Sequence, residues 1–308
     1  MAESLKPPHR LVDVFPPGFD SKSKSSSSRG PYQFAPEQLY RTLTHAYARE
    51  HHVESTIVTS AWYGKQKNGA RHEFILIEVE DTEAGFKNFI VLDRNNSKSP
   101  PVESEDSPGL NLSPGGIGCS RSCQSAAADA FRVSYNGIEK QLLRECQLQG
   151  NQYLEMIKFG SEGQLFLYQL VTLVHLVSES SQNYAVAGRN CYWFAGVIWE
   201  CIRALHPSAE YDGRRSRIRG KFAMMRYTPN TEDIHRICQE FEQEIRSVED
   251  RLAQLREKWF KMEGTSFEMT AVASNDIMGS GSPFGRRPGP VGDMTPFRGN
   301  NFDEGVAV

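Results

Sequence analysis

The sequence has no hydrophobic run long enough to cross a bilayer. The longest, LFLYQLVTLVHLVS at 165–178, is 14 residues, where about 20 are needed, so a buried helix is expected there and no transmembrane segment. An excess of either charge is also missing: 35 Lys and Arg stand against 38 Asp and Glu, a net −3. That excludes a global field drawing the chain onto nucleic acid or an anionic membrane. Cysteine is scarce, with six in 308 residues, too few for a disulfide scaffold. None has the paired spacing of a zinc site, since CSRSC at 119–123 is a single C-x3-C with no second pair near it. No cofactor and no metal are therefore expected, and a reduced intracellular, cytoplasmic setting is the simplest reading. The first residues, MAESLKPPHRLVDVFPPGFD, lack the apolar core of a signal peptide. GGIG at 115–118 is too short to serve as a phosphate loop, and no internal repeat is visible.

Three stretches are poor in apolar residues. Residues 1–33 carry prolines and SKSKSSSSRGP, 94–126 are rich in Ser, Pro and Gly, and 265–308 are rich in Gly, Pro and Asn. Such composition cannot bury enough apolar surface to order itself, so two disordered tails and one long inserted loop are expected. Between them the pattern is periodic. APEQLYRTLTHAYAREH, 35–51, reads as an amphipathic helix with Pro36 in its first turn. ESTIVTSAWY, 54–63, HEFILIEVE, 72–80, and FKNFIVLDR, 86–94, read as strands, the last two joined as an antiparallel hairpin by DTEAG. FRVSY, 131–135, and QYLEMIKF, 152–159, are further strand candidates, and two apolar helices follow at 163–179 and 190–205. The expected class is α+β: an antiparallel sheet packed on a central Cys-bearing helix, within a domain spanning 34–226.

That second helix, NCYWFAGVIWECIRAL at 190–205, is apolar on nearly every side, which marks a helix central to its domain. Asn190 suits the N-cap, which puts Cys191 at the first helical position. The free N–H groups and dipole of a helix start favour a thiolate there, and the same N–H groups could hold an oxyanion. The plainer reading of Cys191 is a buried thiol, since free cysteine is among the most buried residue types; Cys146, Cys201 and Cys238 are read in that way. A nucleophilic thiol needs a base held by a third polar group. Of the eight histidines, His72 alone opens a strong strand. If Val79 faces Phe86 across the hairpin, His72 falls opposite Asp93, whose carboxylate would orient the ring; the plainer reading of Asp93 is a strand-end residue.

His72 at the start of a strand, then the sheet, then Tyr184, Asn190, Cys191 and Phe194 in Y-x-V-x-x-x-NC-x-x-F, resembles the circularly permuted papain-like thiol hydrolases. Those include the lecithin retinol acyltransferase-like and PPPDE-type families, in which the His strand precedes the Cys helix. The CYWFA helix is also similar to that of hypothetical fungal proteins. The resemblance covers about residues 54–206. It implies a thiol hydrolase or acyltransferase acting on an amide, isopeptide or ester carbonyl, with a protein or a lipid ester as substrate. Cys191 would be the nucleophile, His72 the base and then acid, and Asp93 its orienting group. The acyltransferase-like families carry a second His on the sheet; this chain has none between His72 and His175.

From 231 to 263 apolar or soft residues recur at 234, 238, 241, 245, 248, 252, 255, 259 and 262, a heptad pattern. Asn230 with Asp233 resembles a capping box, and Gly264 could end the helix. The seam allows two outcomes. One is a coiled coil that makes a homo-oligomer or docks a partner helix, which would suit a non-catalytic interaction module. The other is a helix folded back on its own domain. RRSRIRGKFAMMR, 214–226, alternates basic and apolar residues and reads as a strand with one basic face, either solvated or facing phosphate.

Overall fold

The computed structural model describes residues 32–45, 53–67, 71–82, 85–96, 125–134, 137–184, 190–222 and 225–276. The chain divides into two units, one up to Trp259 and one from Phe260 on. The first is α+β. Its strands are β1 (Tyr32–Phe34), β2 (Thr56–Gln66), β3 (Glu73–Asp81), β4 (Phe86–Asn96), β5 (Ser125–Val133), β6 (Asn151–Lys158), β7 (Leu165–Phe166), β8 (Asn183–Tyr184) and β9 (Glu210–Asp212). They form one antiparallel sheet in the order β1-β5-β4-β3-β2-β6-β9, with β7 pairing β2 and β8 pairing β5. The helices are α1 (Pro36–His45), α2 (Glu139–Glu145), α3 (Leu167–Glu179), α4 (Cys191–Leu205) and α5 (Thr231–Asp276).

Both faces of the central strands are covered, which is why Phe74, Ile75, Leu76 and Ile77 of β3 form an unbroken buried apolar run rather than alternating with polar residues. Ile75, Ile77, Val79, Leu92 and Phe131 join the main core with α3 and α4. Phe74, Leu76 and Val91 point the other way, onto Leu142, Leu143 and Cys146 around α2. The apolar run at 165–178 becomes β7 and α3, and no helix among the described residues is long and apolar enough to cross a membrane.

Several boundaries differ from expectation. The first helix is described from Pro36 to His45, and residues 46–52 lie outside the described part. Strand β4 continues through Asn96 and β5 begins at Ser125, so the expected loop at 94–126 loses residues to strands at both ends; 97–124 lie outside the described residues. The hairpin register pairs Asp81 with Phe86 and Ile75 with Leu92, two residues away from the expected pairing of Val79 with Phe86. The turn is tighter than assumed. A slip of two preserves which face each side chain occupies, so His72 and Asp93 still share a face, now as diagonal neighbours.

The basic stretch is not one strand. A 3-10 turn at Ser216–Ile218 precedes a small hairpin of β10 (Lys221–Phe222) and β11 (Met225–Arg226). Gly220 breaks the run: its φ is +69°, and a Cβ there would sit 2.0 Å from the Tyr227 carbonyl oxygen. Arg219, expected on a basic face, is instead paired with Glu155 and Glu200.

Helix α5 runs past Gly264 to Asp276, so residues 265–276 are helical rather than tail. Asn190 has a counterpart at its start: the Asn230 Oδ1 accepts from the Glu232 N–H. Phe241, Val248 and Leu252 are buried in the domain's own core with Ile237, and Ile234, Cys238, Ile245 and Leu255 pack beside them. Up to Leu255 the heptad seam is thus covered by this chain's own residues. Leu252→Ala should lower unfolding free energy in denaturant by about 2–5 kcal/mol, the range for truncating a well-packed core leucine. A loss near zero would mean the seam is not part of the core.

Candidate active site

Helix α4 begins where the Asn190 side chain caps it: Oδ1 accepts from the backbone N–H of Tyr192 at 3.0 Å and of Trp193 at 3.2 Å. The Asn190 carbonyl accepts from the Phe194 N–H. Cys191 is therefore the first residue of a buried helix, 5% exposed. This cap also changes the expected oxyanion region. The Tyr192 and Trp193 amides are occupied by Asn190, which leaves the Cys191 N–H as the first-turn donor that Asn190 does not take. Asn190→Ala should cost about 1 kcal/mol of stability, read by thermal or chemical denaturation.

His72 sits just before β3, and its backbone is held on two sides. Its carbonyl accepts from the Gln66 N–H at 2.9 Å. The preceding Arg71 has a φ of +52°, uncommon for a residue with a Cβ, and its carbonyl accepts from the Tyr192 hydroxyl at 3.0 Å. Tyr192 thus ties the start of α4 to the approach to His72. The Lys65 ammonium lies 5.0 Å from the centre of the same tyrosine ring.

The His72 Nε2 lies 3.4 Å from Asp93 Oδ2. This is an ion-pair contact, and among the described residues that nitrogen makes no hydrogen bond of good geometry. Asp93 is itself held firmly: Arg132 Nε donates to Oδ1 at 2.9 Å and Asn95 Nδ2 donates to Oδ2 at 2.8 Å. Burial pushes the Asp93 carboxyl up, but His72, Arg132 and Asn95 outweigh it and hold the group below its ordinary value. For His72, burial works against the charged form, while hydrogen bonding and charge interactions with Asp93 and Cys191 raise its pKa to about 10. These interactions favour the protonated imidazole. The Cys146 thiol, near the same carboxylate, is pushed up to about 12 by burial first and by Asp93 second, which makes it a poor nucleophile.

Of the three residues that sequence singled out, His72 and Asp93 are in contact, and Cys191 lies close enough to His72 to raise its pKa. Tyr184 lies on β8 opposite Ser125, and its side chain and Val186 are outside the described residues. The sequence reading missed Arg132, Asn95 and Tyr192. It also missed a buried clamp under the first turn of α4. Arg94, fully buried, makes a two-pronged pair with Asp129, and its Nη2 also donates to the Ser181 carbonyl. The guanidinium lies 4.7 Å from the Trp193 ring and 5.0 Å from the Phe194 ring, so a cation is fixed beneath the residues that follow Cys191. No protein-family model matches the chain, and no curated protein or solved structure matches it either.

Proposed function

We propose that the chain is a cysteine-dependent hydrolase or acyltransferase acting on an amide, isopeptide or ester carbonyl, arranged like the circularly permuted papain-like thiol hydrolases. One observation carries this reading: a thiol at the first turn of a buried helix interacts with an imidazole that also pairs with a buried, hydrogen-bonded carboxylate. His72, whose protonated form is favoured by Asp93 and Cys191 against the cost of burial, takes the proton of the Cys191 thiol as the sulfur attacks. The Cys191 sulfur attacks the carbonyl carbon, and the charge that develops on the carbonyl oxygen lies toward the Cys191 N–H. His72 gives its proton to the leaving amine or alcohol as that bond breaks, leaving a thioester. Water, or an acceptor hydroxyl or amine, then loses a proton to His72 and attacks the thioester, which releases the acyl group as His72 returns the proton to the Cys191 sulfur. The substrate would be a protein or a lipid ester.

A thiol-directed electrophile should label Cys191 before the other five cysteines, read by peptide mass mapping of the full chain. Equal labelling of all six would remove the proposal.

A further inference from the structure

Cys201, on α4, is fully buried, and Cys238, on α5, is partly exposed. The Cys201 sulfur lies 3.9 Å from the carbonyl oxygen of Ile234. In an α-helix that carbonyl receives the N–H of the residue four positions on, which is Cys238. Ile234 and Cys238 stand one turn apart on the same face of α5, and both pack against the core that contains Cys201. The Cys201 and Cys238 thiols also act on each other's ionisation. The Cys201 S–H therefore lies against the turn of α5 that carries Cys238.

We propose that Cys201 and Cys238 form a redox-active dithiol, converted to an intramolecular disulfide by exchange with a small glutathione-type disulfide. Cys238 is the point of entry. It is the more exposed of the two, and the neighbouring Cys201 thiol favours its thiolate over the opposing effect of burial. Its sulfur attacks one sulfur of the incoming disulfide, the S–S bond breaks, and one thiolate leaves, giving a mixed disulfide on Cys238. Cys201 then gives up its proton to the departing thiolate and attacks the Cys238 sulfur, expelling the second small thiol. Two protein thiols are oxidised and one small disulfide is reduced to two thiols. The product would join the helix that starts at Cys191 covalently to α5. This inference does not depend on the proposed catalysis.

The test uses the full chain, incubated with oxidised glutathione, alkylated at remaining thiols, and digested without reduction. The expected result is a cross-linked peptide pairing Cys201 with Cys238, accumulating as both alkylated peptides disappear. Cys201→Ser should stop at glutathione on Cys238, and Cys238→Ser should leave Cys201 unmodified. Wild-type protein in which both thiols remain alkylatable would overturn the proposal. So would glutathione held on Cys238 with Cys201 free, or cross-links only among other cysteines. The wild-type map decides the matter by itself if a variant does not fold.

Discussion

His72→Ala should slow alkylation of Cys191 by about 100-fold or more, the lower end of what a positioned acid–base group contributes, while the other five cysteines react at unchanged rates. Hydrolysis of an activated thiol-sensitive ester should fall at least as far, and Cys191→Ala should abolish it. The size of the effect follows from what the imidazole supplies. Its protonated form is favoured by Asp93 and by Cys191 against the cost of burial. Without it the sulfur keeps only the helix start as a favourable field. The pH dependence separates this role from simple packing. A group whose folded pKa is raised stabilises the fold fully below its unfolded value, near 6.5, and loses that contribution as pH rises through about 10. The stability difference between wild type and His72→Ala should therefore be largest below about pH 6.5 and shrink steadily towards pH 10. A difference independent of pH, with unchanged alkylation, would reduce His72 to a packing residue.

The largest effect on stability should come from the buried pair between β2 and β3. Lys65 and Glu73 are almost fully buried, and the ammonium donates to the carboxylate at 2.7 Å. The Lys65 ammonium also donates to the carbonyls of Ile218 and Lys221, and the Glu73 carboxylate also accepts from the Tyr63 hydroxyl and the Gly220 N–H. Removing Lys65 takes the donor from two carbonyls and leaves the Glu73 carboxylate buried without its counter-charge. Lys65→Met should cost about 3–5 kcal/mol of unfolding free energy. Burial already raises the Glu73 pKa against the lowering effect of Lys65, so the single variant will take up a proton at Glu73 more readily and its loss should be smaller in acid. The double variant Lys65→Met with Glu73→Leu should recover much of the stability, because no charge is then stranded. Equal losses in the single and double variants would show that the segment at 218–221, rather than the charge pair, dominates.

The hairpin, both apolar helices and the Cys191 cap were legible because each rests on a local rule: β-branched alternation, apolar faces, and an Asn before the first helical turn. His72 and Asp93 were placed on one face despite a register two residues off, since the pleat repeats every two residues. Arg132 was not legible as a partner of Asp93, because the pairing of β5 with β4 spans 97–124 and nothing in FRVSY marks its register. Asn95 was hidden by the polar composition after Arg94, which resembles a loop although its residues continue β4. The basic segment failed for a different reason. Its alternation is too short to outweigh Gly220, whose conformation no other residue could easily adopt. The heptad seam was correctly seen as apolar, but spacing alone does not say whether a second chain or the same chain covers it.

The two halves of the candidate site have different histories in the folding chain. His72 and Asp93 lie on neighbouring strands of one hairpin and meet as soon as that hairpin closes. The sulfur arrives from a helix more than a hundred residues further along, and such distant closures form late. On the proposed reading, a chain in which α4 has not docked holds the imidazole and the carboxylate without the sulfur, so the site is assembled by the last of these closures.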